Sequence, residues 1–441
     1  MDYTGITERE LSEMLAAIGV KGIDDLFADI PESIRLKELL DLPAPLSDIE
    51  VEKLVAGMAG KNCIMNSFLG AGAYRHHVPA VVDQLSLRGE FFTAYTPYQP
   101  EVSQGTLTAI FEYQTMICRL TALDVANASL YDGATATAEA VLMSLRSGDK
   151  NRVVVSDAVH PHYRALLRTY LWANGVELVE ISSNGGITAP GDAAAALDAN
   201  TAALVVQSPN FFGCIEDVAA LAANAHAAKA HIIQVITEPL SLGLLKKPGE
   251  MGVDIACGEA QGFGNYSGFG GPMLGFMAAK AEFMRRMPGR LVGRTVDEQG
   301  REAYVLTLQT REQHIRRERA TSNICSNEGL CALRAVIYLS MLGNRIRDLA
   351  ALNHRLAAWL KHRLEEKGFT GAFAAPYFNE FVVRLEGAKR ICDRLRGDGI
   401  QVGLPLEEYY PAMKDCLLVC ATEMNTPEEI DRLIGVIEGV M

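Results

Sequence analysis

Val153-Val154-Val155, residues 176–181 (VELVEI), Ala203-Leu204-Val205-Val206, residues 232–236 (IIQVI) and residues 253–257 (VDIAC) are five short apolar runs that recur between residues 151 and 257. Runs of this kind, rich in Val and Ile and without polar alternation, are what strands buried on both faces require. Alanine-rich helical stretches such as residues 218–230 separate them. Strand, helix and strand in alternation predict crossover units and a mainly parallel sheet. The region therefore reads as an α/β domain.

Beyond Arg319 the pattern turns helical over residues 330–342 and 349–367. Residues 380–385 and 417–421 are strand-like, and 388–397 and 427–440 are helical. These predict a small C-terminal α+β domain over residues 331–441. Towards the amino terminus, Thr7 and Glu10 form a capping box ahead of Leu11, Met14, Leu15 and Ile18 at helical spacing. Pro31, Pro43 and Pro45 interrupt the chain before a second helical stretch at 49–58. Residues 1–60 thus read as an arm, and 61–330 as the large domain.

A chain of 441 residues exceeds the size at which one core usually stops growing, which agrees with a large and a small domain. Its net charge of −13 offers no general source of phosphate attraction, so nucleic-acid binding is set aside. No basic, apolar leader and no bilayer-length apolar run is present, and a cytoplasmic location is expected. The nine cysteines include no C-x-x-C pair, and Cys416 and Cys420 lack the partners of a zinc site. Reduced core thiols and no metal centre are expected.

Four segments carry candidate chemistry. Residues 70–79 (GAGAYRHHVP) and 93–105 (TAYTPYQPEVSQG) crowd small, aromatic and hydrogen-bonding residues without period, as a loop presenting side chains does; local packing of a surface loop is the other reading. Residues 127–140 lead from a turn into an alanine-rich helix. Its exposed N–H groups make a ready anion site, unless Asp132 or Gly133 simply caps it. The cationic run 311–325 suits phosphate or carboxylate partners, or else a solvated salt-bridged helix. The glycines of 258–272 imply close backbone approach after a strand, and no Walker or dinucleotide fingerprint occurs.

Together, residues 93–107 (TAYTPYQPEVSQGTL), 127–136 (NASLYDGATA), 207–213 (QSPNFFG) and 306–325 (LTLQTREQHIRRERATSNIC) resemble the glycine dehydrogenase (decarboxylating) family, the P-protein of the glycine cleavage system. The resemblance is to its subunit-1 type, found where the enzyme is split into two chains. It implies an aminotransferase-like pyridoxal phosphate (PLP) fold, fold type I, with a large seven-stranded domain and a small C-terminal one. It also implies the reaction: glycine is decarboxylated on PLP and its aminomethyl group passes to the lipoyl arm of the H-protein. Glycine dehydrogenase subunit 2 is then the partner, with T-protein and L-protein in the wider system.

That fold needs an acid for the pyridine nitrogen at one strand end and a lysine about two strands later. Glu238, after the 232–236 run, stands near the acid's place. Where the PLP-binding half of the family has a His-Lys-Thr-Phe run, this chain reads Ala260-Gln261-Gly262-Phe263. An amide forms no imine, so the chain is expected to lack covalent PLP, which the partner would hold. Lys246 and Lys247 come too early, and Lys280 too late. Tyr95, Tyr98, Gln99, Glu101 and Gln104 are expected to line the glycine and lipoyl pocket, with Gly70, Tyr74 and His77 beside them. Thr321, Ser322 and Asn323 are expected near the phosphate of the partner's cofactor. A self-contained PLP enzyme, of aminotransferase or desulfurase type, and a non-catalytic scaffold are the competing readings.

Overall fold

The structure, a computed structural model, describes residues 5–439, and packing divides them after Cys63 into two units. In the first, the helix Glu8–Ile18 opens on the predicted capping box. The Glu10 N–H donates to Thr7 Oγ1 at 3.3 Å and the Thr7 N–H to Glu10 Oε2 at 2.9 Å. Gly19, at φ 87°, ends it, a conformation that costs glycine no Cβ clash. The helix Asp48–Ala59 follows the three prolines, and neither helix buries a residue.

The second unit is built on a seven-stranded sheet: β1 Val125–Ala126, β2 Arg152–Ser156, β3 Glu177–Ile181, β4 Thr201–Gln207, β5 His231–Ile236, β6 Ile255–Glu259 and β7 Gly275–Ala279. Their order is β1-β7-β6-β5-β4-β2-β3, parallel throughout the β6-β5-β4-β2-β3 portion, with β7 antiparallel to both β6 and β1. Every residue of β4 is buried, as a central parallel strand requires.

The two-residue period of a strand sorts these apolar side chains to two faces. Val153, Val155, Ala203, Val205, Ile233 and Val235 pack with Met143, Leu167 and Leu171 of the helices Gly133–Leu145 and Pro161–Ala173. Val154, Leu204, Val206 and Ile232 pack with Leu221, Ala222 and Ala225 of the helix Val218–Ala227. The helix Gly329–Leu342 also joins the sheet core, through Ala332, Ala335 and Leu339.

A separate core lies under the antiparallel sheet of Glu380–Arg384, Cys416–Cys420 and Leu404–Pro405. It takes Ala357, Leu360 and Leu364 from the helix Ile346–Glu366, and Phe68 from the start of the unit. Asn66–Ser67 pairs in parallel with Ile400–Gln401, which fixes Phe68 there.

Beside the large sheet, Leu291–Val296 and Glu302–Thr307 form an antiparallel hairpin. One helix, Gln104–Thr121, holds it with two glutamines that act as extra strand residues. The Gln114 amide donates to Val292 O at 3.0 Å and its oxygen accepts from Val292 N at 2.9 Å. Gln104 makes the same pair of bonds with Tyr304, both at 2.9 Å. Each side chain thereby satisfies a free edge of the hairpin. Gln114→Leu leaves a buried N–H and C=O unpaired, and urea unfolding should show a loss of about 2–3 kcal/mol. A loss below about 0.5 kcal/mol would mean that Val292 finds other partners.

Candidate functional site

Ligands of open α/β sheets sit beyond the carboxyl ends of the strands, so the ends of β5 and β6 come first. Here they are filled by the protein itself. Gln261 is 1% exposed and its amide donates to the Asn265 carbonyl. Glu259, at the end of β6, accepts from the backbone N–H groups of Gly133 (3.0 Å), Gln261 (3.0 Å) and Leu274 (2.7 Å). Burial pushes its pKa up to about 7, against the pull of those three donors. Asp132 caps the same helix, accepting from Thr135 N at 2.7 Å. The helix N-terminus that reads in sequence as an anion site is therefore taken by two carboxyl groups.

PLP does not fit this place. A phosphate would have to displace Glu259, a Cβ on Gly133 would already stand 2.1 Å from the Tyr163 hydroxyl, and residue 261 brings an amide rather than an amine. Lys247 donates to the Arg119 carbonyl. Lys280 is held by Asp254, which precedes β6 and so lies at the opposite end of that strand.

Glu238, expected as the acid for a pyridine nitrogen, is likewise committed inside the protein. His76 lies between two carboxylates, with Nε2 3.0 Å from Glu238 Oε2 and Nδ1 3.0 Å from Glu423 Oε2. Asn379 donates to Glu238 and Asn353 to Glu423, both at 2.9 Å. Burial opposes charge on His76, but the two carboxylates outweigh it and hold the imidazolium up to about 10. Glu423 is driven down to about 2: its hydrogen bonds, first of all from His76, overcome the cost of burial.

Gly70 and Tyr74 belong to the same interior and line no open pocket. The Tyr74 hydroxyl donates to Glu380 Oε2 at 2.9 Å, and a Cβ on Gly70 would meet Glu380 Oε1 at 2.4 Å. Burial pushes Glu380 up to about 8. His77 has an exposed side chain, and its backbone N–H donates to Glu423 at 2.7 Å.

A cleft of about 310 Å³ lies between residues 91–97 and 326–333. Tyr95 lines it and is 86% exposed. Tyr98 lies behind, its ring under the Arg290 guanidinium at 5.5 Å and its hydroxyl accepting from Arg290 Nη2 at 3.2 Å. Gln99 and Glu101 are exposed. Gln104 opens a helix and spends its amide on Tyr304, so it is not free for a ligand as expected. Ser322 turns inward, 8% exposed, and accepts from Ile324 N, whereas Asn323 is exposed. The Thr321 carbonyl accepts from Arg146.

Sequence reading missed Arg290. Its Nη1 donates to Asn327 Oδ1 at 3.1 Å and its Nη2 to the Cys325 carbonyl at 2.7 Å, so it ties residues 325–327 to Tyr98. An arginine at the mouth of an apolar strand, Arg290-Leu291-Val292, was the one local signal.

The family model for the glycine cleavage system P-protein matches residues 1–437. The chain belongs to the P-protein family. A relative from Geobacillus kaustophilus, named probable glycine dehydrogenase (decarboxylating) subunit 1, is 50% identical over 438 residues, 98% of each chain. A solved P-protein, described as glycine decarboxylase of the glycine cleavage system in inhibitor-bound form, is 45% identical over the whole of both chains with a TM-score of 0.88. An aspartate aminotransferase from Thermus thermophilus covers 85% of this chain and 99% of its own at 16% identity and a TM-score of 0.60, a likeness of fold alone. The P-protein chain thus has the fold type I architecture of PLP-dependent enzymes that its motifs imply. No helix among its described residues is long and apolar enough to cross a membrane.

Proposed function

We propose that this chain is subunit 1 of a two-chain glycine decarboxylase and completes the active site of a partner subunit that carries the PLP. The overall reaction joins glycine to the disulfide of a lipoylated H-protein. CO2 leaves, one lipoyl sulfur takes the aminomethyl group, and the other takes a hydrogen. The partner's cofactor supplies the electron sink for decarboxylation. Two observations carry this reading: residue 261 is a buried glutamine, which brings no amine, and Glu259 takes the backbone N–H groups of Gly133, Gln261 and Leu274, which closes the anion site at this chain's own strand ends. Open to a partner are the cleft that Tyr95 lines and the exposed Tyr98, Gln99, Glu101 and Asn323.

In this reading glycine dehydrogenase subunit 2 and the H-protein meet the chain at that surface, T-protein and L-protein act on the products, and the system is cytoplasmic. Tyr95 and Glu101 wall the glycine and lipoyl pocket, and Asn323 reaches toward the partner's cofactor phosphate. In the co-expressed pair, Tyr95→Ala and Glu101→Ala should each lower exchange of labelled bicarbonate into glycine about tenfold, the worth of one good polar contact, without preventing assembly. Unchanged exchange in both would overturn the loop assignment and leave a scaffold role.

A further inference from the structure

Tyr98 and residues 325–328, more than two hundred positions apart in the chain, are held in one arrangement by a third segment. Ser129 Oγ accepts from Asn327 Nδ2 at 3.2 Å and from Glu328 N at 3.1 Å. The Tyr131 hydroxyl accepts from Cys325 N at 3.1 Å. The Ala128 N–H donates to the Arg290 carbonyl at 2.8 Å, which sets the start of the Arg290 side chain on the same segment. The guanidinium then closes the group by donating to Asn327, Cys325 and Tyr98.

Two details mark this cluster as more than packing. Arg290 is 4% exposed and its Nε–H has no acceptor among the described residues. An unsatisfied buried donor costs about 1–3 kcal/mol, so the arrangement is not the cheapest way to bury the side chain. Moreover, the Tyr98 oxygen accepts from Arg290, while its own O–H has no acceptor among the described residues. Tyr98 as a residue is 46% exposed, so a group from outside the chain can approach it.

We propose that Arg290 is a positioning residue that presents the Tyr98 hydroxyl, as a hydrogen-bond donor, to an anionic oxygen bound at the site shared with the partner subunit. The inference rests on the reading that the loop around Tyr98 faces that site. A guanidinium behind the phenol favours an anion in front of it, because its charge acts across a short, largely desolvated distance. Glycine carboxylate and cofactor phosphate share this chemistry, and the two are separable by experiment.

Hydrogen exchange on the chain without its partner tests the clamp alone. In Arg290→Gln, amides of residues 94–99 and 324–328 should exchange at least about fivefold faster, the effect of losing roughly 1 kcal/mol of local protection. Amides of β4 and β5 should be unchanged. If Arg290→Gln fails to fold, Arg290→Lys, which keeps the charge and loses the fork, should show the same local change. Unchanged exchange in both segments overturns the proposal.

Kinetics of the co-expressed pair test the donor. Tyr98→Phe should lower kcat/KM for glycine about tenfold, and the loss in Tyr98→Phe/Arg290→Gln should be smaller than the product of the two single losses, as for residues acting as a unit. A raised glycine KM identifies the carboxylate; a lower PLP content after dialysis identifies the phosphate. Multiplicative losses overturn the proposal. Full activity of Tyr98→Phe despite faster exchange in Arg290→Gln also overturns it, and shows that the site reading failed rather than the clamp.

Discussion

Purified without a partner subunit, the chain should exchange no measurable bicarbonate into glycine, and Gln261→Lys should leave that unchanged. The substitution restores an amine at the position where the PLP-binding half of the family has lysine, so a chain that lacked only the amine would gain a cofactor adduct on borohydride reduction. Two further features of this P-protein stand against that. The side chain at 261 lies in the interior, 1% exposed, with its amide bonded to the Asn265 carbonyl. The helix start that would take a phosphate is occupied by Glu259, which accepts from three backbone N–H groups, and by Asp132.

A hydrogen bond is worth about 0.5–1.5 kcal/mol net, and more to a charged acceptor, so expelling Glu259 forfeits the worth of three bonds before the phosphate gains anything. Co-expression with subunit 2 should restore exchange in full with Gln261 unaltered. Visible cofactor absorbance and a reduced lysine adduct in Gln261→Lys would refute the closure argument, and activity of the unpartnered wild type would refute the division of labour.

The second large effect concerns His76. Removing a charge from between buried carboxylates leaves them uncompensated, and His76→Leu should destabilise the fold by about 3–5 kcal/mol in urea unfolding. The sign of the pH dependence follows from the direction of each shift. His76 is raised from 6.5 to about 10, so its contribution is complete below pH 6.5 and is lost as pH rises through about 10. Glu380 is raised from 4.5 to about 8, so the folded state is favoured most below pH 4.5 and that advantage is lost as pH rises to about 8. Glu423, lowered from 4.5 to about 2, contributes above pH 4.5 and stops doing so as pH falls toward 2.

The urea midpoint of the wild type should therefore decline as pH rises from about 4.5 to 10, with the Glu380 part complete near pH 8 and the His76 part running from about 6.5 to 10, and should also decline as pH falls below about 4. His76→Leu should flatten the alkaline limb, leaving the part due to Glu380. A wild-type midpoint that stays level between pH 7 and 10 would show that His76 is not held as an imidazolium.

The central strands could be read from the chain because strands buried on both faces have no polar face to interrupt the run. Thr201–Gln207 and His231–Ile236 lie within a few residues of the predicted runs. The strand read at 253–257 runs from Ile255 to Glu259 instead, because Asp254 stays outside it and bonds the Ile232 N–H at 2.9 Å. Glu259 can end a buried strand only because three N–H groups satisfy it, and two of those lie in other segments.

The fate of the candidate residues divides in the same way. That residue 261 is a glutamine is written in the chain, and so are the motifs that name the family. Whether Tyr74 faces a pocket or the interior depends on Glu380, 306 positions away, and whether Gln104 is free depends on Tyr304. The sequence by itself thus determined the parallel sheet, the helix caps, the family and the missing amine, since each is set by residue type or by spacing along a few turns of backbone. Only the tertiary structure decided that Glu259 closes the anion site, that Tyr74 and His76 are locked inside, and that Arg290 holds Tyr98. Hydrogen bonds between distant segments leave no period in the chain, because their geometry exists only once the sheet and its helices have packed.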